Sequence, residues 1–367
     1  MARSATLTLV TLAHFSHLTH FSLMSILTVL MSVKNGEPYL RETVESILDQ
    51  TYNDFKFLIL DNASTDNSRD IIRSFNDPRI RLIELPEDIG QVAALNKGLD
   101  MIDTPLVARM DADDISMPRR LERQVEFMNN HPEIGISGTY ATAFEGKKQT
   151  RWPKPCTPGD VKARLLFGCC LAHPSVIIRK ALLDKYHLRY DEHIGFSEDW
   201  DLWQRASRHF PLANIPGYLL KYRIHPESVS RKNVEPQKRA DEQLVRKALE
   251  PLGLANHPLH RVHEEITLAN TYNASDREPE FIPRVQEWFR VITAANQKTG
   301  IYNEKSLKKA VKGRLFMVLN ANARQKGLVL KVFFKERLYR EVGFIPSLKF
   351  LVHVIIFSWC LMHRHNG

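Results

Sequence analysis

Leu106-Val107-Ala108-Arg109-Met110-Asp111-Ala112-Asp113-Asp114 runs from a short, mainly apolar stretch straight into three carboxylates. The first five residues have the length and character of a buried strand, and the acidic cluster then sits at its carboxyl end. Upstream, 26–32, 55–60 and 80–84 read as further strands, short and apolar with β-branched residues. Between them, 39–50, 68–75 and 91–101 carry apolar residues at helical spacing. Strand–helix alternation of this kind predicts an α/β fold with a mainly parallel sheet and helices on both faces. Ligands of such sheets lie beyond the carboxyl ends of the strands. The polar stretches 32–37, 61–66 and 111–114 all fall at those ends, so one cleft can collect them.

Outward from this core the pattern loosens. A helix over 161–167, a strand over 174–178 and a helix over 199–208 are expected in an otherwise irregular middle. After about residue 232 the chain reads as helices with polar connections, and it grows basic from Lys305. The expected organisation is a loose extension over 1–24, an α/β domain over 25–232, and a basic helical region over 233–367. The last of these ends in an apolar helix at 344–362. That run is at the short edge for a bilayer span, and its basic flanks suit an anionic membrane interface. Docking on the protein is the competing reading. Near the start, His14, His17 and His20 interrupt the apolar residues, so 1–23 is a poor secretory signal.

With 367 residues, 43% hydrophobic and 25% charged, the chain can bury one large core plus an appendage. Its net charge of +9 suits a phosphorylated substrate, anionic lipid or nucleic acid without choosing among them. Cys156, Cys169, Cys170 and Cys360 form no CxxC pair, which points to reduced thiols of a cytosolic protein rather than a disulfide framework or zinc site. No GxGxxG or GxxxxGK[ST] loop follows a strand, which argues against a dinucleotide dehydrogenase and a P-loop NTPase.

Two acidic motifs carry chemistry. Carboxylates as close as Asp111, Asp113 and Asp114 repel one another unless a cation or donors neutralise them, and hard oxygen ligands suit Mg²⁺ or Mn²⁺. The same residues also suit a helix cap. In Glu198-Asp199-Trp200-Asp201, a carboxylate at a cleft mouth can accept a proton from a hydroxyl, or can complement the dipole of a helix start. Ser32, Asp61 and Asn62 offer donors and acceptors for a base edge and ribose, and are equally ordinary turn residues. His173 and His225 are further candidates for phosphate or metal contact, against the commoner packed or surface histidine.

Taken in order, these stretches resemble the family 2 glycosyltransferases, which have the GT-A fold, a Rossmann-like mixed sheet. The resemblance runs from about Ile26 to Ser230. It rests on 28–35, on Ser46-Ile47-Leu48-Asp49-Gln50-Thr51-Tyr52, on Asp61-Asn62-Ala63-Ser64-Thr65-Asp66, on 91–99, on 110–118, on 195–203 and on Tyr222-Arg223-Ile224-His225. It implies an inverting transfer of a sugar from a nucleotide-sugar donor, UDP-linked, to a hydroxyl of a glycan or lipid-linked acceptor in cell-surface polysaccharide synthesis. It further implies Asp113 as ligand of Mn²⁺ or Mg²⁺, with Asp111 and His225 beside it. Asp111 also lies near ribose and diphosphate, Ser32, Asp61, Asn62 and Gln91 bind the nucleotide sugar, Asp199 is the general base, and Glu198 positions the site. The second Asp of the family's loop is Asn62 here, which leaves the donor base open. Gln-x-x-Arg-Trp is missing, so one sugar is transferred per event. The expected setting is cytoplasmic, peripheral on the inner membrane face, with no nucleic-acid partner. An inactive nucleotide-binding scaffold of the same fold is the alternative.

Overall fold

The computed structural model describes residues 25–268, 280–322, 326–337, 340, 347 and 349–351. The expected extension over 1–24 and most of the apolar stretch 344–362 lie outside the described residues. The strands are β1 (Leu27–Val33), β2 (Phe55–Asp61), β3 (Ile80–Glu84), β4 (Leu106–Met110), β5 (Ile115–Ser116), β6 (Ile136–Glu145), β7 (Lys148–Trp152), β8 (Ile177–Arg179) and β9 (Leu212–Arg223). The helices that flank or follow them are α1 (Glu37–Leu48), α2 (Ser68–Arg73), α3 (Gln91–Met101), α4 (Arg120–Asn130), α5 (Pro158–Leu165), α6 (Lys180–Lys185) and α7 (Glu198–Ala206). After β9 come α8 (Val229–Lys232), α9 (Val234–Leu249), α10 (His260–Leu268), α11 (Phe281–Thr299), α12 (Glu304–Ala321) and α13 (Lys326–Lys335).

The sheet order is β3-β2-β1-β4-β8-β6-β9-β5, with β7 paired to β6. β1 to β4 are parallel, and β6 and β9 are parallel to each other; β8, β5 and β7 run against their neighbours. The fold is thus a mixed α/β sheet of the expected class with a helical C-terminal part.

β1 explains the two-sided core. Leu27, Val29, Met31 and Val33 project toward α1 and α4, where Leu40, Val44, Leu121 and Val125 meet them. Leu30 projects the other way, toward α3, into the cluster that holds Val92, Leu95 and Leu99. Alternation across the pleat sends neighbours to opposite faces, so a central strand must be apolar throughout. On the α3 side a Cβ at Gly98 would lie 2.4 Å from Leu30 Cδ1, so a glycine lets that helix sit close on the sheet.

Several expectations are corrected. The strand expected over 174–178 begins as a tight turn at His173–Ser175 and is extended only at Ile177–Arg179. Pro174 cannot donate to a ladder, which delays the strand. The helix expected over 161–167 starts earlier, at Pro158, because Thr157 caps it through Asp160 N (3.2 Å). β6, β7 and β9 go beyond the expected strands: β6 and β7 form a local hairpin, while β6 and β9 pair across more than seventy residues of sequence.

The helical part has its own core around Trp288, Phe289, Ile292, Leu315, Leu319 and Phe333. Phe350, from the start of the apolar C-terminal stretch, packs into it, with ring centroids 4.6 Å from Phe333 and 5.2 Å from Phe316. Among the described residues no helix is long and apolar enough to cross a membrane.

α1 fastens the acidic loop. Thr43 Oγ1 donates to the Asp114 carbonyl (2.8 Å), and Ser46 Oγ accepts from Ser116 N (3.0 Å). Gln50, buried at 2% exposure, donates through Nε2 to Met117 O (2.9 Å) and accepts at Oε1 from Leu121 N (3.0 Å). Gln50→Leu leaves buried backbone groups unpaired and is expected to destabilise the fold by about 2–4 kcal/mol. Urea unfolding measures this; a change within experimental error would show that water replaces the amide.

Candidate active site

The three loops at the carboxyl ends of β1, β2 and β4 meet, as their spacing predicts. Much of the side-chain chemistry in the first two is spent on each other. Asn35 N donates to Ser64 Oγ (3.0 Å), Thr65 N to Asn35 Oδ1 (2.8 Å), Gly36 N to Ser68 Oγ (2.9 Å) and Glu37 N to Asp66 Oδ2 (3.0 Å). Asn35 and Ala63 hold positive φ (53° and 55°), strained for residues with a Cβ, and these cross-bonds over-determine both turns.

Asp61 is fully buried at the end of β2, where its Oδ2 accepts from Arg69 Nε (2.6 Å) and Ser64 N (3.2 Å), while Oδ1 has no partner. Asn62 departs from expectation. Its Nδ2 donates to Asp88 Oδ1 (2.7 Å) and its Oδ1 accepts from Ile89 N (3.0 Å), so the amide is engaged inside the protein. It braces the 85–90 loop rather than presenting a free base-reading edge. Ser32 is half-buried at the end of β1, and Gln91 is exposed at the first turn of α3.

The acidic cluster forms beyond β4. Ligand atoms of Asp111, Asp113 and Asp114 all lie within 4.8 Å of one another. Their environments differ. Asp114 is 1% exposed, and its Oδ1 accepts from Arg223 N (2.7 Å). Burial, then the neighbouring Asp113 and Asp111, push its carboxyl well above the usual range. Asp114 is therefore a structural link between the loop and β9. Asp111 and Asp113 remain about a quarter to a third exposed. Arg223 also donates through Nε to Asp113 O (2.7 Å), while His225 Nε2 lies 2.9 Å from Asp113 Oδ2. Hard carboxylate oxygens, close-set and partly accessible, fit a divalent ion of the Mg²⁺ or Mn²⁺ type.

Facing the cluster is the start of α7. Ser197 holds φ at 59°, tied by its Oγ to Asp241 Oδ1 (2.6 Å). This turn aims Glu198 and Asp199 into the cleft. Asp199 Oδ1 accepts from Trp200 N (2.7 Å) and Oδ2 from the Cys169 thiol (3.2 Å). Burial raises the Asp199 carboxyl against these lowering contacts, and burial with the Asp199 charge pushes Glu198 up to about 7. His173 lies 3.7 Å from Glu198 through Nδ1 and 2.8 Å from the Tyr190 hydroxyl through Nε2; burial holds it well below its usual range, hence neutral.

Arg109 joins the two walls. It is 3% exposed, forms an ion pair with Asp111, and has Tyr190 and Glu198 as electrostatic neighbours. Sequence reasoning missed it. The available signal was a charged residue inside an apolar strand, two positions before Asp111 and therefore on the same face. Asp201, the other acid of the Glu198 motif, is fully buried between Arg205 (2.6 Å) and Lys247 (2.6 Å), outside this chemistry.

Comparisons with known proteins place the chain among relatives. A family model described as glycosyl transferase family 2 matches residues 28–186. An uncharacterized glycosyltransferase of Methanocaldococcus jannaschii is 34% identical over 195 residues, 51% of this chain and 67% of that protein. The O-antigen biosynthesis glycosyltransferase WbnJ of Escherichia coli is 32% identical over 215 residues, 55% of this chain and 81% of its own length. The solved structure of S. aureus TarS 1–349 in complex with UDP-GlcNAc superposes with a TM-score of 0.52 at 16% identity, covering 87% of this chain and 93% of that one, a likeness of fold.

A Glu198 raised from 4.5 to about 7 makes the protonated form the one the folded state prefers. The stability it contributes is full below about 4.5 and is lost as pH rises through about 7. In metal-free protein, Glu198→Gln is expected to be more stable than wild type by ~3 kcal/mol at pH 8, the gain shrinking toward zero in acid. Denaturant unfolding across pH checks this, and a pH-independent difference would locate the effect in packing.

Proposed function

The chain belongs to glycosyltransferase family 2, and on that premise we propose that it moves a single sugar, with inversion, from a UDP-linked donor to a hydroxyl of a glycan or lipid-linked acceptor. The observation that carries the reading is the pairing of Asp111 and Asp113 with Asp199 across one cleft. Asp113 and Asp111 would hold Mn²⁺ or Mg²⁺, with His225 at Asp113 as an adjacent contact. A divalent ion bound there supplies neutralisation of charge on the leaving diphosphate. Asp61, through its unpartnered Oδ1, and Ser32 would contact the nucleoside, with Gln91 at the rim.

The acceptor hydroxyl attacks the anomeric carbon while the nucleoside diphosphate leaves, and its proton passes to the Asp199 carboxylate. A raised Asp199 is a stronger base than a free aspartate, and the Trp200 N–H fixes its plane. Glu198, protonated up to about 7, holds the neighbouring wall without adding a second full charge. The O-antigen role in the name of the Escherichia coli relative supports cell-surface polysaccharide synthesis as the setting. The basic C-terminal region supports a place at the cytoplasmic membrane face.

Asp199→Asn is expected to lower kcat about 10³-fold with donor affinity retained. Turnover within a few-fold of wild type would remove Asp199 as the base. Asp113→Asn is expected to abolish the rise in melting temperature that UDP gives in the presence of Mn²⁺. Persistence of that rise would refute the metal assignment, and no UDP response in wild type at all would favour the inactive scaffold.

A further inference from the structure

A cavity of about 250 Å³ opens between α5 and α12, lined by Pro155, Asp160, Arg164, Lys309, Gly313 and Arg314 among others. Three cations face one carboxylate. Lys309 Nζ pairs with Asp160 Oδ2 (2.6 Å), which leaves two guanidiniums. Both are turned to backbone carbonyls: Arg164 Nη1 donates to Phe167 O (3.0 Å), and Arg314 donates to Ile266 O (3.1 Å) and to Phe167 O. Among the described residues neither has a carboxylate in salt-bridge range. Arg314 is 4% exposed, and its Nε has no acceptor. Burial, then the charge of Arg164, pushes Arg314 down to about 9. A buried guanidinium beside a second, half-buried one, with no acid against either, is costly unless an anion neutralises it.

Gly313 supplies an independent observation. It sits inside α12, where glycine weakens a helix. A Cβ there would meet nothing within 4 Å, so no packing contact requires its absence. What the missing side chain does is keep the cavity open beside Arg314.

The chain segment that lines one wall of the cavity leads on to the site of transfer. Cys169, an electrostatic neighbour of Arg164, donates its thiol to Asp199. Lys154, next to Pro155 in sequence, is close enough for its charge to act on Asp199. We propose that this cavity binds a phosphoryl anion carried by the sugar acceptor, seating it on Arg164, Lys309 and Arg314 while its hydroxyl faces Asp199. This rests on the transferase reading above. Planar guanidiniums match phosphate oxygens through paired N–H donors, and a lysine adds a point charge.

The test uses the full chain in EDTA, where the metal-free carboxylate rim repels anions, titrated calorimetrically with inorganic pyrophosphate and with farnesyl diphosphate. Wild type is expected to bind. Gly313→Leu, which fills the cavity, and Lys309→Glu, at an exposed position, are each expected to weaken binding by about tenfold or more. Both should leave UDP binding in Mn²⁺ unchanged. Tighter binding of farnesyl diphosphate supports the site with a lipid-linked anion, and equal binding supports it with a soluble one. No binding by wild type, or undiminished binding in both variants, overturns the anion site. Anion binding by a wild-type chain that never binds UDP overturns the acceptor role.

Discussion

Asp111, Asp113, Asp114, Glu198 and Asp199 are drawn into one cleft, and the buried guanidinium of Arg109 stands among them. Five carboxylates at such range cannot all ionise freely. The rest of the site follows from how each is relieved. Asp111 pairs with Arg109. Asp114 is buried and bonded to the Arg223 amide. Glu198 retains its proton up to about 7. Asp199 accepts from the Cys169 thiol and the Trp200 amide. Asp113, more exposed than Asp111 and with His225 beside it, is the place where external positive charge has most to offer.

That arrangement requires a rigid frame. α1 and the turn after it grip the acidic loop from one side through Thr43, Ser46 and Gln50. β9 grips it from the other through Arg223, whose guanidinium lies over the rings of Tyr39 (4.6 Å) and Phe144 (4.7 Å). The loops after β1 and β2 are stitched together by their own polar side chains. Much of what looks like binding chemistry in these motifs is scaffold; among the expected donor contacts Ser32, Gln91 and Asp111 retain exposed surface, and Asp61 keeps one buried oxygen without a partner.

The helical part completes the molecule by packing against the turn after α5. Phe167 belongs to its core, while Leu165, two residues earlier, belongs to the core beneath the sheet. One short helix therefore links the wall that carries Cys169 and Asp199 to the basic face of α12.

The sequence alone determined the alternation of strands and helices through β4, the class of the sheet, and the positions of the two acidic motifs, because those rest on local periodicity and on charge at strand ends. Tertiary structure decided the rest. β6 and β9 pair across some seventy residues, and no local pattern encodes that. Asn62 has the composition of a base-reading residue, yet Asp88 and Ile89, remote until the chain folds, consume its amide. Asp111 and Asp199 are separated by nearly ninety positions, and only the packing of α7 under the sheet brings Arg109, the neutral His173 and both carboxylate walls into one electrostatic unit. Short-range pattern names the groups that carry charge; the environment that sets each group's protonation is made of residues far away in the chain.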